Sequence, residues 1–306
     1  MAHRFQVGVQ LPEVEREVGW LEMRDIARTA EASGFDSLWL GDHLLYRDPI
    51  IGTTGPLEAW SMLAALAEST ERVSLGTLVA STSFHAPAIL AKKAATVDEI
   101  SGGRLILGLG AGWNRAEYEA FGFPFDHRID RFEEAFTIIR TLLTDGHIDF
   151  EGSYYTVRDA QLVPRARPGI PLLIGSNGPR MLQIALPHVA MWNTWHSSFE
   201  NDPEKLGPLL DQIDRACADA GRKPGEVEKS AAVYVQLAAG TGRLTGAGVL
   251  ADQVPHTGSR EDLALLLSRH AEAGLDHVQL VLDPIDAASV EEMGEVLRLI
   301  GERGIR

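Results

Sequence analysis

An aspartate and a histidine stand side by side at Asp42-His43, directly after the apolar run Ser37-Leu38-Trp39-Leu40-Gly41. A carboxylate and an imidazole at a strand end can hydrogen-bond a heterocycle and move a proton, because imidazole changes charge near neutral pH. The plainer alternative is a loop Asp capping the next segment, with the His lying on Leu44 and Leu45. Similar groups follow other apolar runs. In Thr77-Leu78-Val79-Ala80-Ser81, small residues let a flat ligand approach the backbone closely. Gly108-Leu109-Gly110-Ala111-Gly112-Trp113-Asn114 is a glycine-rich bend that offers Trp113 as an apolar wall and Asn114 as donor and acceptor.

The strongest candidate for an anion site is Gly175-Ser176-Asn177-Gly178-Pro179-Arg180. Backbone N–H groups at a helix start point at a phosphate, and Arg180 adds a positive charge. Trp192, Trp195 and His196 stand close together and form a candidate substrate wall, or else large aromatics packed beneath loops. The glycine spacing at 108–112 lacks the acidic residue that a dinucleotide fingerprint requires on a following strand, so that reading is rejected. The metalloprotease, α/β-hydrolase, P-loop and calcium-loop motifs are absent, and no metal site is expected.

These residues need a frame that brings strand ends together. Eight apolar runs qualify as strands: 5–10, 37–41, 73–79, 104–108, 171–175, 189–193, 231–237 and 277–282. Most are continuous rather than alternating, as in parallel strands buried on both faces. Amphipathic stripes lie between them, among them Phe132, Phe136, Ile139 and Leu143, then Leu263, Leu266, Leu267 and His270, then Val290, Met293, Leu297 and Ile300. Ser259 precedes an acidic first turn, and Gly34 and Gly274 each follow a helix candidate. The alternation predicts a (β/α)₈ TIM barrel spanning 1–306 as one domain, with an open doubly wound sheet as runner-up. Polar residues just past the strand ends then line the active-site mouth. Ile148 to Tyr155 predicts a small hairpin between helix four and strand five, and 240–248 a mobile glycine-rich loop.

The 306 residues carry a net charge of −15, which argues against nucleic acid or an anionic membrane surface as partner. The single cysteine, Cys217, excludes an internal disulfide and a Cys-based zinc site. No apolar run is long enough to span a membrane and Met1 to Arg4 start no signal peptide, so the expectation is a cytoplasmic protein.

As an ordered set, the segments 37–43, 72–77, 103–114 and 171–178 resemble the bacterial luciferase-like superfamily. The likeness runs from Phe5 to about Ile300. It implies a barrel that binds FMN or the deazaflavin coenzyme F420 at its mouth. By the same resemblance, Asp42-His43 points to the F420 branch, in which an Asp-His pair commonly follows strand two; many FMN members carry Glu-His at that position. The resemblance further implies a non-proline cis peptide at Leu78-Val79 backing the ring, and a phosphate held by Ser176, Asn177 and Gly178. Sugar-phosphate dehydrogenases of the family carry a glutamate at the position of Trp113, so this chain departs from them there. The family's frequent Ala-Asp at strand six is Val189-Ala190 here.

The function so implied is an F420-dependent oxidoreductase moving a hydride between the deazaflavin and a small organic substrate. His43 handles the accompanying proton, and Asp42 fixes its ring or the cofactor. Two alternatives stand beside it: a monooxygenase fed reduced FMN by a separate reductase, and a flavin-binding or structural barrel without turnover. A homodimer is expected from the resemblance and from apolar residues such as Trp60, Met62 and Leu63. Arg47, Arg115 and Arg158 are candidates to meet the cofactor's acidic tail.

Overall fold

A computed structural model describes residues 5–49, 52–223, 225–243 and 254–305. The eight barrel strands are β1 Gln6–Gln10, β2 Ser37–Leu40, β3 Ser74–Thr77, β4 Leu105–Gly110, β5 Leu172–Gly175, β6 Met191–Thr194, β7 Glu228–Gln236 and β8 His277–Asp283. All neighbours pair in parallel, and β4–β5 and β8–β1 pairing closes the ring. The TIM barrel read from the sequence is therefore the observed architecture, and the open sheet is excluded.

The expected stripes pack onto its outside. Phe132, Phe136, Ile139 and Leu143 lie on α5 (Arg128–Asp145) and are buried. Val290, Met293, Leu297 and Ile300 do the same on α9 (Ala287–Glu302). α8 (Arg260–Glu272) begins with a capping box in which Ser259 and Asp262 satisfy each other's backbone N–H groups. The remaining helices are α1 Trp20–Ala32, α2 Ala59–Ser69, α3 Pro87–Ser101, α4 Arg115–Phe121, α6 Pro179–Ala185 and α7 Gly207–Asp219.

Several expectations need correction. The hairpin before β5 is larger than read, pairing His147–Glu151 with Thr156–Gln161 around a turn at Gly152. A second hairpin, Tyr46–Asp48 with Gly52–Thr54, gave no sequence signal because its strands are only three residues long. Trp60, Met62 and Leu63 are at most 5% exposed and pack in the core between α2 and the barrel, so they offer no dimer surface. Of the glycine-rich loop, Gly240 to Gly242 are tied down by backbone bonds to Leu237 and the Asp283 carboxylate. The stretch 244–253 lies outside the described residues.

The barrel interior explains where the mouth sits. Trp39 fills its middle, fully buried, with Leu78, Ile106, Leu173 and Met191 around it. Its indole N–H donates to Ser37 Oγ at 2.7 Å, and the same hydroxyl meets His277 Nε2 at 2.8 Å. Above this plug the chain turns through the Leu78–Val79 peptide, which is cis as the resemblance implied. Gly110 and Gly175 make room for it: a Cβ at either would come within 2.8 Å of the Val79 side chain.

Buried imidazoles give the fold an acid limit. Burial pushes His196 down to about 3 and His270 and His277 to about 4, from an ordinary 6.5. The folded chain thus keeps them neutral where the unfolded chain protonates them. Their contribution is complete above about pH 6.5 and is lost as pH falls toward 4, at up to roughly 4 kcal/mol per pH unit for the three together. Urea unfolding at pH 7 and at pH 5 should show this loss; equal midpoints would contradict it.

Candidate active site

One cavity of about 620 Å³ opens at the C-terminal ends of the strands. Asp42, His43, Leu78, Val79, Ser81, Gly112, Trp113, Gly175, Ser176, Asn177, Gly178 and Trp195 line it together. Five strand-end segments widely separated in the sequence thus share one chamber, as closure of the barrel requires.

The hydrogen bonds of Asp42 go to residues other than His43. Asp42 Oδ2 accepts from Ser81 N–H at 3.0 Å and meets His85 Nε2 at 2.7 Å. Consecutive residues here point to different partners, so the expectation that Asp42 orients the His43 ring is corrected. Glu117 does that instead. It is wholly buried on α4, and its carboxylate lies 3.0 and 3.1 Å from His43 Nδ1 while accepting Leu44 N–H at 2.6 Å. The other ring nitrogen, Nε2, stands 3.8 Å from Glu13 Oε1. Burial opposes charging of His43, but the Glu13, Glu117 and Asp42 carboxylates outweigh it and raise its pKa above the ordinary 6.5.

Glu13 is itself held in place. Gln10 Nε2 donates to its Oε2 at 2.6 Å, and the Tyr46 hydroxyl donates to its Oε1. Burial, then the Glu13 charge, raise Tyr46 well above the ordinary phenol range, so it stays a donor at every working pH. Arg243 reaches into the same end from the loop after β7, its Nε 2.5 Å from Glu15 Oε1 and its guanidinium 5.5 Å from the Trp195 ring.

The other end is the candidate anion cradle. Asn177 Nδ2 donates to Thr194 Oγ1 at 2.9 Å and Ser198 Oγ at 3.1 Å. Among the described residues its Oδ1 is buried with no hydrogen-bond partner, and Gly178 N–H donates to Ser176 Oγ at 3.2 Å. Arg180 does not serve this loop, because it pairs with Asp130 and Glu133 on α5. Arg128 lines the cavity instead, donating to Gly112 O at 2.8 Å and lying over Phe125. Of the arginines named for an acidic tail, Arg115 is within 3.6 Å of Glu119 and also covers Phe125; Arg47 and Arg158 do not line the cavity.

Four predicted residues fall outside the chamber. Trp192 and Asn193 are neighbours on β6, so their side chains face opposite ways. Asn193 points into the barrel, donating to Gln279 Oε1 at 2.7 Å, and Trp192 points out, its indole bracing Ser176 O at 2.9 Å. His196 is fully buried beneath Trp195 and beside Tyr234. Thr77 Oγ1 is spent on Gly108 O at 2.7 Å, and Asn114 Nδ2 on Leu45 O at 3.1 Å. Glu13, Tyr46, Glu117 and Arg243 were missed. Glu13 lies just past β1 and Arg243 past β7, so the rule that selected Asp42-His43 applies to them as well. Glu117 carries no such signal, being one acidic residue in a helix.

Comparison with known proteins gives the family. A family model described as luciferase-like monooxygenase matches residues 3–242. The chain belongs to that family. Among its relatives in the family, the 5,10-methylenetetrahydromethanopterin reductase of Archaeoglobus fulgidus is 32% identical over 209 residues, 67% of this chain and 57% of that protein. The F420-dependent glucose-6-phosphate dehydrogenase of Intrasporangium calvum is 37% identical over 176 residues, 55% of this chain and 52% of that one. This chain therefore spans a little over half the length of these curated relatives. Among solved structures, an F420-dependent secondary alcohol dehydrogenase superposes with a TM-score of 0.82 at 21% identity, covering 97% of this chain and 99% of that one, a likeness of fold. Among the described residues no cluster suited to a metal ion and no helix able to cross a membrane occurs.

Proposed function

We propose that this luciferase-like chain is a coenzyme F420-dependent oxidoreductase acting on a small organic substrate. The observation that carries the reading is the meeting of Asp42, His43, the Leu78–Val79 bulge and the 175–178 loop on one cavity. The chamber fits such a cofactor: its volume lies in the usual range for small-molecule sites of about 300–1,000 Å³. Its floor has glycines where a side chain would collide with Val79, and its far end holds the unpartnered Asn177 Oδ1.

In this reading Ser176, Asn177 and Gly178 would hold the cofactor phosphate, Leu78 and Val79 would back the ring, and Asp42, fixed by Ser81 and His85, would meet the cofactor. Gly112 and Ser81 line the same cavity and would border the ring system. When bound, the deazaflavin supplies a ring carbon that gives or takes hydride. His43 holds the accompanying proton. Glu117 anchors Nδ1, so Nε2 faces the chamber to give a proton to a substrate oxygen or take one from it. Trp113 and Trp195 shield the substrate end from water.

Because the neighbouring carboxylates raise His43, substrate reduction should be fast at low pH and fall as pH rises through a value above 6.5. Oxidation should show the opposite dependence. Glu117→Gln removes one of the carboxylates responsible, so the fall should move to lower pH, and loss of positioning should cut turnover roughly ten- to a hundredfold. An unmoved pH profile in this variant would detach Glu117 from His43.

The name of the matching family favours a second reading, a monooxygenase that receives reduced FMN from a separate reductase. Titrating the purified chain with F420 and with FMN separates the two. F420 should bind at least about tenfold more tightly, a difference of about 1.4 kcal/mol. The reverse order selects the monooxygenase, and binding of neither removes both.

A further inference from the structure

The substrate end of the chamber has an unusual charge arrangement. Glu13 and Glu117 line it, with Arg243 and His43 as the cations facing them. Arg243 is the natural group to receive an anionic substrate, yet its Nε is engaged by Glu15 at 2.5 Å. Both partners are sheltered, with side chains 5% and 16% exposed. Glu15 is fixed from behind as well, since its Oε2 accepts Glu13 N–H at 2.9 Å. The Arg243 backbone N–H is tied to the Tyr234 hydroxyl at 3.0 Å, and the Trp195 ring lies against the guanidinium. The pair is thus built on both sides rather than formed by two loose surface chains.

We propose that Glu15 is a specificity-determining residue: by occupying Arg243 it makes the substrate end select uncharged molecules and reject carboxylates and phosphates. The proposal deepens the functional reading above and rests on it for calling this end of the cavity the substrate end. An incoming anion meets Glu13 and Glu117 and finds the guanidinium already neutralised. Like charges brought together in a partly dry site are strongly disfavoured. A neutral carbonyl or alcohol still finds the His43 Nε2 proton and the apolar faces of Trp113 and Trp195. Glu15→Gln keeps the shape of the side chain and removes its charge, so the guanidinium is left to attract an anion.

The test uses isobutyramide and isobutyrate, which match in shape and differ in charge, titrated into the purified chain by ligand-observed NMR with and without bound cofactor. The wild type should bind the amide at least about tenfold more tightly than the carboxylate. Glu15→Gln should move the ratio of the two dissociation constants at least about tenfold toward the carboxylate. Adding Arg243→Gln should abolish that gain, and Glu15→Asp should restore wild-type selectivity. Circular dichroism and melting temperature establish that each variant is folded. Equal or tighter wild-type binding of isobutyrate overturns the proposal. So does an unmoved ratio in folded Glu15→Gln, which would place carboxylate binding elsewhere, such as at Arg128, and so does silence of both probes in a chain that binds cofactor. Failure to bind F420 or FMN instead overturns the functional reading, and the probe ratio without cofactor is read separately from it.

Discussion

His43→Ala is expected to lower kcat/KM for hydride transfer by about a hundred- to ten-thousandfold, the usual worth of a positioned general acid or base. The loss should fall on turnover more than on cofactor affinity, because His43 faces the substrate end while the phosphate loop lies at the other end of the chamber. Its imidazole is set by Glu117 at one nitrogen and directed toward Glu13 at the other. Removing it leaves those carboxylates without the cation between them, so added imidazole should restore part of the activity. Asp42→Asn should behave differently. Asp42 is bound to Ser81 N–H and His85, and its replacement alters the wall against the cofactor rather than the proton carrier. Steady-state kinetics beside cofactor titration for both variants checks the division. Full activity in His43→Ala would end its assignment as the proton carrier.

Trp39→Ala should destabilise the fold by roughly 3–5 kcal/mol, the range for deleting a large buried aromatic. The indole is fully buried, so its deletion opens a cavity inside the barrel. Gly76 and Gly8 already lie against it without side chains, and a Cβ at Gly76 would stand 2.3 Å from the ring. Deletion would also leave Ser37 Oγ without the indole donor, in a layer where His277 is pressed edge-on to the ring at 5.7 Å. Leu78, on the cavity floor, packs in the same cluster, so activity should fall together with stability. Trp39→Phe should cost less, because the ring remains and only the N–H is lost. Urea unfolding reports both; a loss below about 1 kcal/mol for the alanine variant would mean the barrel interior repacks.

The barrel was legible because its rules are local. Continuous apolar runs, helical stripes and the Ser259 cap each report their own element, and their alternation points to one closed topology. The cavity loops were legible for the same reason: Asp42-His43, Gly112-Trp113 and 175–178 each follow a strand. The errors came where direction mattered. Trp192 and Asn193 differ by one residue and by a whole face of the sheet, a distinction set by the register of β6 against β5 and β7. Trp60, Met62 and Leu63 are as apolar as any contact surface, but packing placed them in the core.

The amino-acid sequence alone determined the (β/α)₈ framework, the family and the loops that reach the mouth, because hydrophobic period and strand-end position are properties of short segments. Tertiary structure alone decided the pairings: Glu117 with His43, His85 with Asp42, Tyr46 with Glu13 and Glu15 with Arg243. The most distant of these partners, Glu15 and Arg243, are 228 positions apart along the chain. No local pattern specifies which carboxylate meets which cation across a closed ring; that follows only once the strands have fixed where each loop begins.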